Sequence, residues 1–112
     1  MSDCLFCRIA AGEIPAKVVA QDDHYVAFHD IAPQAPTHIL VIPRQHVASL
    51  DDADDANMLG NLMAFVRQVA RDEGVAESGY RTVLNCNAGA GQSVFHVHVH
   101  LLGGRDMSWP PG

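Results

Sequence analysis

Apolar and polar residues alternate along this chain with two different periods. "THILVIP" (37–43) repeats by twos: Ile39, Val41 and Pro43 point one way, His38, Leu40 and Ile42 the other. That is the pattern of a strand, whose successive side chains take opposite faces. "AKVVAQ" (16–21), "HYVAFHD" (24–30) and "YRTVLNC" (80–86) are further runs of strand length and composition. The period changes in "DDADDANMLGNLMAFVRQVARDEG" (51–74). There Met58, Leu59, Leu62, Met63, Val66, Val69 and Ala70 recur at helical spacing as one stripe. Aspartates crowd the start, where the helix dipole favours them, and Gly74 suits the end. Such a stripe belongs to a core or a subunit interface, not to chemistry. "CLFCRIAA" (4–11) predicts a short helix, with Leu5, Phe6 and Ile9 at helical spacing and Gly12 and Pro15 as stops. "APQAP" (32–36) is a proline-rich loop.

The order is short helix, three strands, long helix, two strands. It predicts an α+β antiparallel sheet in a single domain spanning 1–112. The last strand, "SVFHVHVHLLGG" (93–104), alternates His96, His98 and His100 with Val97, Val99 and Leu101. On a strand these imidazoles would share one face, each about 7 Å from the next. Such a row makes a metal site, a phosphate site or a solvated edge. The preceding "NAGAGQ" (87–92) bears on the choice. Gly89 and Gly91 let backbone N–H groups approach an anion without a Cβ in the way, and Ser93 adds a hydroxyl donor. The loop has neither a Walker lysine nor the helix start of a dinucleotide-binding turn. A phosphate cradle opening onto imidazoles points to a nucleophilic histidine, which attacks phosphorus and forms a labile phosphoramidate. His98, in the middle, has potential proton donors on both sides.

Composition narrows the function classes. The net charge is −6 with histidines neutral, against a general binder of nucleic acid or of an anionic membrane. A small anionic ligand needs only local positive groups. No apolar run reaches the ~18 residues of a membrane span. The N-terminal stretch lacks the basic and apolar regions of a signal peptide. Three cysteines, an odd count, fit reduced thiols. A cytoplasmic protein is the expectation. Cys86 reads as a buried strand cysteine, and His24 and His29 as polar strand residues without a functional role.

"GQSVFHVHVHLLGG" together with "FHDIAPQAPTHILVIPRQH" resembles the histidine triad (HIT) family, and the terminal "WPPG" resembles its Hint branch. The likeness runs from "EIPAKVV" to the last residue. It implies a sheet of about five antiparallel strands that continues into a ten-stranded sheet across a homodimer. It also implies hydrolysis of purine nucleoside phosphoramidates, of the adenosine 5′-monophosphoramidase kind, through a covalent nucleotidyl-histidine. By that resemblance His98 is the nucleophile, His100 binds a phosphate oxygen, His96 orients the site and His38 backs the triad. Ser93 contacts the phosphate or the leaving amine, Gly91 and Gln92 sit in the phosphate loop, and Asn85 contacts phosphate and ribose. Asp30 accepts from the ribose hydroxyls beside Ile31. Leu5, Phe6, Ile9, Ile14 and Phe28 fall where the family builds its purine pocket, and Trp109 lines the partner subunit's site.

The same resemblance gives the C-x-x-C of Cys4 and Cys7 a role. Some relatives join such a pair to two histidines in a structural zinc site, here His46 and His96. Cys₂His₂ suits tetrahedral zinc. Catalysis itself would need no cofactor. Two other functions stand beside the phosphoramidase: a dinucleoside polyphosphate hydrolase of the same family, and a non-catalytic zinc-binding protein. The latter has no use for a phosphate cradle.

Overall fold

A computed structural model describes residues 3–112. Its elements are α1 (Leu5–Ala10), β1 (Val18–Gln21), β2 (Tyr25–His29), β3 (Thr37–Pro43), α2 (Ala56–Asp72), β4 (Tyr80–Val83) and β5 (Val99–Gly103). Short 3-10 turns lie at Leu50–Asp52 and Ala88–Ala90. The strands form one five-stranded sheet in the order β1-β2-β3-β5-β4, and every pairing is antiparallel. The α+β class and the long and short helices are as the sequence pattern implies. No helix among the described residues is long and apolar enough to cross a membrane.

The period of two in β3 sorts the core into two layers. Ile39 and Val41 join Tyr25, Ala27, Val99 and Leu101 on one face, packed against Leu62, Val66 and Val69 of α2. Leu40 and Ile42 join Val26, Phe28 and Phe6 on the other. Burial of both faces explains why β3 is apolar almost throughout. His38 and His100 share the period of the second face, so the imidazoles stand on the side away from α2. Arg44 closes α1 down onto this side. Its guanidinium donates to Ala10 O (2.7 Å) and Gln21 Oε1 (2.9 Å), and its Nε donates to Asp22 O (2.8 Å).

The structure corrects several element bounds. α2 begins at Ala56, not in the aspartate run. Asp55 is its N-cap, accepting from Met58 N (3.1 Å), while Ser49 Oγ holds Asp52 in the preceding turn (2.9 Å). Met63, placed in the apolar stripe, is exposed, and Phe65 packs against the core beside Tyr25 instead. β4 ends at Val83, so Cys86 is half-buried and outside any strand.

The largest correction concerns the histidines. β5 starts only at Val99, leaving His96 and His98 in bent chain before it. Paired residues of β3 and β5 run from Thr37↔Gly103 to Val41↔Val99. Continuing that register would set Pro43 opposite Val97, and proline has no N–H for the ladder. Val97 N bonds instead to Val47 O (2.7 Å), and the Pro43 carbonyl accepts from the His96 ring (2.7 Å).

Candidate active site

The imidazoles form a continuous row of ring contacts. His38 lies against His100 (centroids 5.2 Å apart), His100 against His98 (5.1 Å), and His98 against the edge-on ring of Phe6 (5.0 Å). Phe6 then touches His96 (6.1 Å), which meets His46 (5.1 Å). His38, His96 and His98 are buried, and His100 is half-buried.

Hydrogen-bond partners assign the ring protons along this row. The backbone N–H of Gln34 donates to His38 Nδ1 (2.9 Å), so the neutral His38 ring carries its proton on Nε2. That hydrogen faces His100 Nδ1 (2.9 Å) and Asp30 Oδ2 (3.3 Å). Nδ1 of His100 therefore accepts, and its proton sits on Nε2. His98 donates from Nδ1 to the carbonyl of His96 (2.8 Å), which leaves a lone pair on Nε2 of the neutral ring. His96 donates from Nε2 to the Pro43 carbonyl, which leaves its lone pair on Nδ1.

The electrostatics agree with neutral rings at His38, His96 and His100. Burial lowers the pKa of His38, with the nearby Asp30 carboxylate opposing it in part. Burial likewise lowers His96; its bond to Pro43 opposes this, while His46 and His98 add to it. His100 is pushed down to about 4, by burial first and then by His98 and His38, with Asp30 pulling the other way. Desolvation disfavours the cation in each case. The hydrogen bonds thus set the Nε2 lone pair of a neutral His98 ring beside the Nε2–H of His100.

Other predicted site residues divide by what they are free to offer. The Gly91 turn has φ of 91°, a left-handed conformation that suits glycine. Gln92 is buried and its amide is committed within the protein. Oε1 accepts from Asn87 N (2.7 Å), and Nε2 donates to Ala48 O (2.7 Å) and Val94 O (3.1 Å). What it gives the site is the shape of the loop. Ser93 is exposed at the loop's end and Asn85 is half-buried. Asp30 Oδ1 accepts from Ala32 N (2.8 Å), so its carboxylate is anchored beside His38. Ile31 is 100% exposed, while Ile9 and Ile14 are half-buried and Leu5 is exposed. Phe6 and Phe28 are buried edge to face (5.5 Å). Phe6 thus stands among His98, Phe28 and His96.

Trp109 is 82% exposed, with the Arg81 guanidinium 5.9 Å from its ring centre and Arg81 Nη2 donating to Ser108 O (2.9 Å). A surface cleft of about 400 Å³ is lined by Asp23, His24, Arg44 and Asn61 among others, and another of about 240 Å³ by Tyr80, Arg81 and Arg105 among others; none of the histidines of the row lines either. Sequence patterns did not point to the backbone groups of Gln34, Pro43 and His96 that set the ring protons, because a backbone N–H or carbonyl has no residue signature.

Beside the row, Cys4, Cys7, His46 and His96 bring one ligand atom each within 4.8 Å of one another. Cys4 Sγ to His96 Nδ1, Cys7 Sγ to His46 Nδ1 and His46 Nδ1 to His96 Nδ1 are each 3.3 Å, and Cys7 Sγ to His96 Nδ1 is 3.4 Å. A zinc tetrahedron has N···N edges of about 3.3 Å and S···N edges of about 3.5 Å, from its usual bond lengths. The donor set and its spacing fit such an ion, and His96 turns its lone pair toward it.

A HIT domain family model matches residues 11–107. A HIT-like protein of Synechococcus elongatus is 51% identical over 98% of this chain and 97% of its own length. The purine nucleoside phosphoramidase of Escherichia coli is 45% identical over 94% of this chain and 90% of its own. A HIT family hydrolase from Legionella pneumophila superposes with a TM-score of 0.96 at 54% identity, covering 98% of this chain and 100% of that one. With the fold, the histidine row and these likenesses in agreement, the chain belongs to the HIT family, among its hydrolases.

Proposed function

We propose that the protein cleaves the P–N bond of purine nucleoside 5′-phosphoramidates, the activity named for its Escherichia coli relative. His98 Nε2 forms a bond to phosphorus while the bond from phosphorus to the amine breaks. The amine leaves with a proton drawn from solvent through the Ser93 hydroxyl, while the neutral His100 ring donates its Nε2–H as a hydrogen bond to a phosphate oxygen. Water then displaces His98 from phosphorus and releases the nucleoside monophosphate. Two easier displacements replace one hard one. Gly91 and Asn85 hold the phosphate, Asp30 takes the ribose hydroxyls, and Ile31, Ile9, Ile14 and Phe28 bound the purine. The observation that carries this reading is the chain of hydrogen bonds that leaves His98 Nε2 unprotonated next to the Nε2–H of His100.

Three features complete the proposal. The protein works as a homodimer with a ten-stranded sheet, and Trp109 reaches the partner's site. That gives the exposed indole a surface to cover, since an exposed tryptophan is costly in water. Cys4, Cys7, His46 and His96 hold zinc, which supplies a structural tie and takes no part in the displacement. The setting is cytoplasmic, where thiols stay reduced.

The test is incubation with adenosine and guanosine phosphoramidates of several amines, with mass analysis of products and of protein denatured mid-reaction. A nucleotidyl adduct on His98 is expected. His98→Asn should keep nucleotide affinity and lose several powers of ten in turnover, as for the loss of a nucleophile. Turnover near the parent rate in that variant would remove His98 from the chemistry. Cleavage of dinucleoside polyphosphates but not of phosphoramidates would favour the other hydrolase reading. Zinc binding with every substrate left intact would favour the non-catalytic one.

A further inference from the structure

The row of rings does not stop at the catalytic histidines. Through Phe6 and His96 it continues into the Cys₂His₂ cluster, and two physical links join that cluster to His98. The first is His96 itself. One residue turns Nδ1 to the two thiols and His46, gives its Nε2–H to Pro43 O, and offers its own carbonyl to the Nδ1–H of His98 at 2.8 Å. The second is Phe6. It lies between Cys4 and Cys7 in sequence, on the short helix capped by the Cys4 thiol, and its ring stands edge-on to His98 at 5.0 Å and 89°. His96 is 0% exposed, and Phe6 and His98 are buried as well. Groups packed at interior density do not shift one at a time.

We propose that a divalent metal on Cys4, Cys7, His46 and His96 positions the nucleophile, so that metal occupancy and nucleotide binding at His98 strengthen each other. The inference rests on the zinc and phosphoramidase readings above. Without an ion, the cluster is tied by weak thiol and imidazole contacts. Bonds of fixed length to an ion lock the His96 ring and the start of α1. They thereby lock the carbonyl that selects the His98 tautomer and the phenyl ring that walls it in. Ligands of a metal are themselves oriented by such outer contacts, and here the same contacts run outward to a reacting group. His96 and Phe6 are in this sense positioning residues. Coupling between two sites is reciprocal in binding, so a nucleotide that orders His98 must also raise the affinity for the metal by the same factor.

Two measurements on the full chain test this, neither of them turnover. The protein is stripped by chelator under reducing conditions and reloaded with Zn²⁺ alone, with metal content counted by mass spectrometry. ¹⁵N spectra of the His98 ring should show distinct protonated Nδ1 and unprotonated Nε2 signals in the loaded form. In the stripped form, and in His46→Ala, they should move toward a tautomer average. The Zn²⁺ affinity of the protein, from equilibrium competition with a chromogenic chelator, should rise on the order of tenfold when AMP is bound, the scale of ordinary site-to-site coupling. Phe6→Leu keeps all four ligands and should reduce that gain.

Stoichiometric zinc with an unchanged His98 spectrum on stripping, or a zinc affinity indifferent to bound AMP, would overturn the coupling and leave the zinc site standing. Absence of zinc binding would overturn both. If stripped protein unfolds, the competition assay on loaded protein and Phe6→Leu decides. If AMP does not bind, the phosphoramidase reading falls and the His98 spectrum alone decides the coupling.

Discussion

His100 should make the folded protein sensitive to mild acid in a way that one substitution removes. In the unfolded chain its ring takes up a proton near pH 6.5, and in the folded chain only near pH 4. Between those values the unfolded state holds more protons, so stability falls as pH falls. The loss begins near pH 6.5 and is complete near pH 4. Linkage with these two values gives a loss of about 2 kcal/mol between pH 7 and pH 5. The ring is only half-buried and solvent screens part of the effect, so about 1 kcal/mol is the expected size. Urea unfolding of the parent and of His100→Asn at pH 7, 6 and 5 measures it. The parent should lose about 1 kcal/mol more than the variant across that range, whatever their absolute stabilities. Parallel losses in the two proteins would refute the claim that the fold holds His100 neutral, and with it the assignment of a lone Nε2–H donor beside His98.

Four further outcomes are expected. Gly103→Ala should destabilise by about 1–3 kcal/mol in urea, because the new Cβ would lie 2.8 Å from Val75 Cγ1 and 2.9 Å from Val75 Cβ; an unchanged midpoint would mean β5 moves freely over that loop. Gln92→Ala removes the clamp on the glycine loop and should cost about 1–3 kcal/mol while weakening AMP binding; intact affinity would show that the loop holds its shape without the amide. Asp30→Ala should erase the preference for ribo- over deoxyribonucleoside substrates, a charge-assisted bond being worth about 1.5–3 kcal/mol; preserved discrimination in kcat/KM would take Asp30 away from the ribose. Truncation after Met107 should leave a folded dimer with an altered ranking of leaving amines, and a monomer in sedimentation of the full chain would rule out a shared site.

Local periodicity carried the sequence reading a long way. The twos of β3 and the helical stripe of α2 are legible because burial on one face is written residue by residue into the elements that supply it. Phe65 for Met63 in the core is a small rotation of the stripe that the pattern could not resolve. The chemistry was legible in kind: histidines beside a glycine loop, with a C-x-x-C elsewhere. The histidine strand itself shows where this reading stops. Its alternation is real, yet pairing ends at Val99, because the register sets Pro43, which lacks an N–H, opposite Val97. That opposition exists only once two segments more than fifty residues apart are side by side.

The proton positions lie still further from the sequence. Which nitrogen of His38, His96, His98 or His100 carries its hydrogen is settled by the N–H of Gln34 and the carbonyls of Pro43 and His96. Every residue but proline has the same N–H and every residue the same carbonyl, so nothing in the residue names marks these. Phe6 likewise reads as one more apolar helix residue until the fold sets its ring on His98. The sequence by itself determined which faces are apolar and which side chains could do chemistry, because those depend on residue type and spacing. The tertiary structure alone decided which ring nitrogen keeps its lone pair, because a ring's tautomer is set by the backbone groups brought against it from distant parts of the chain.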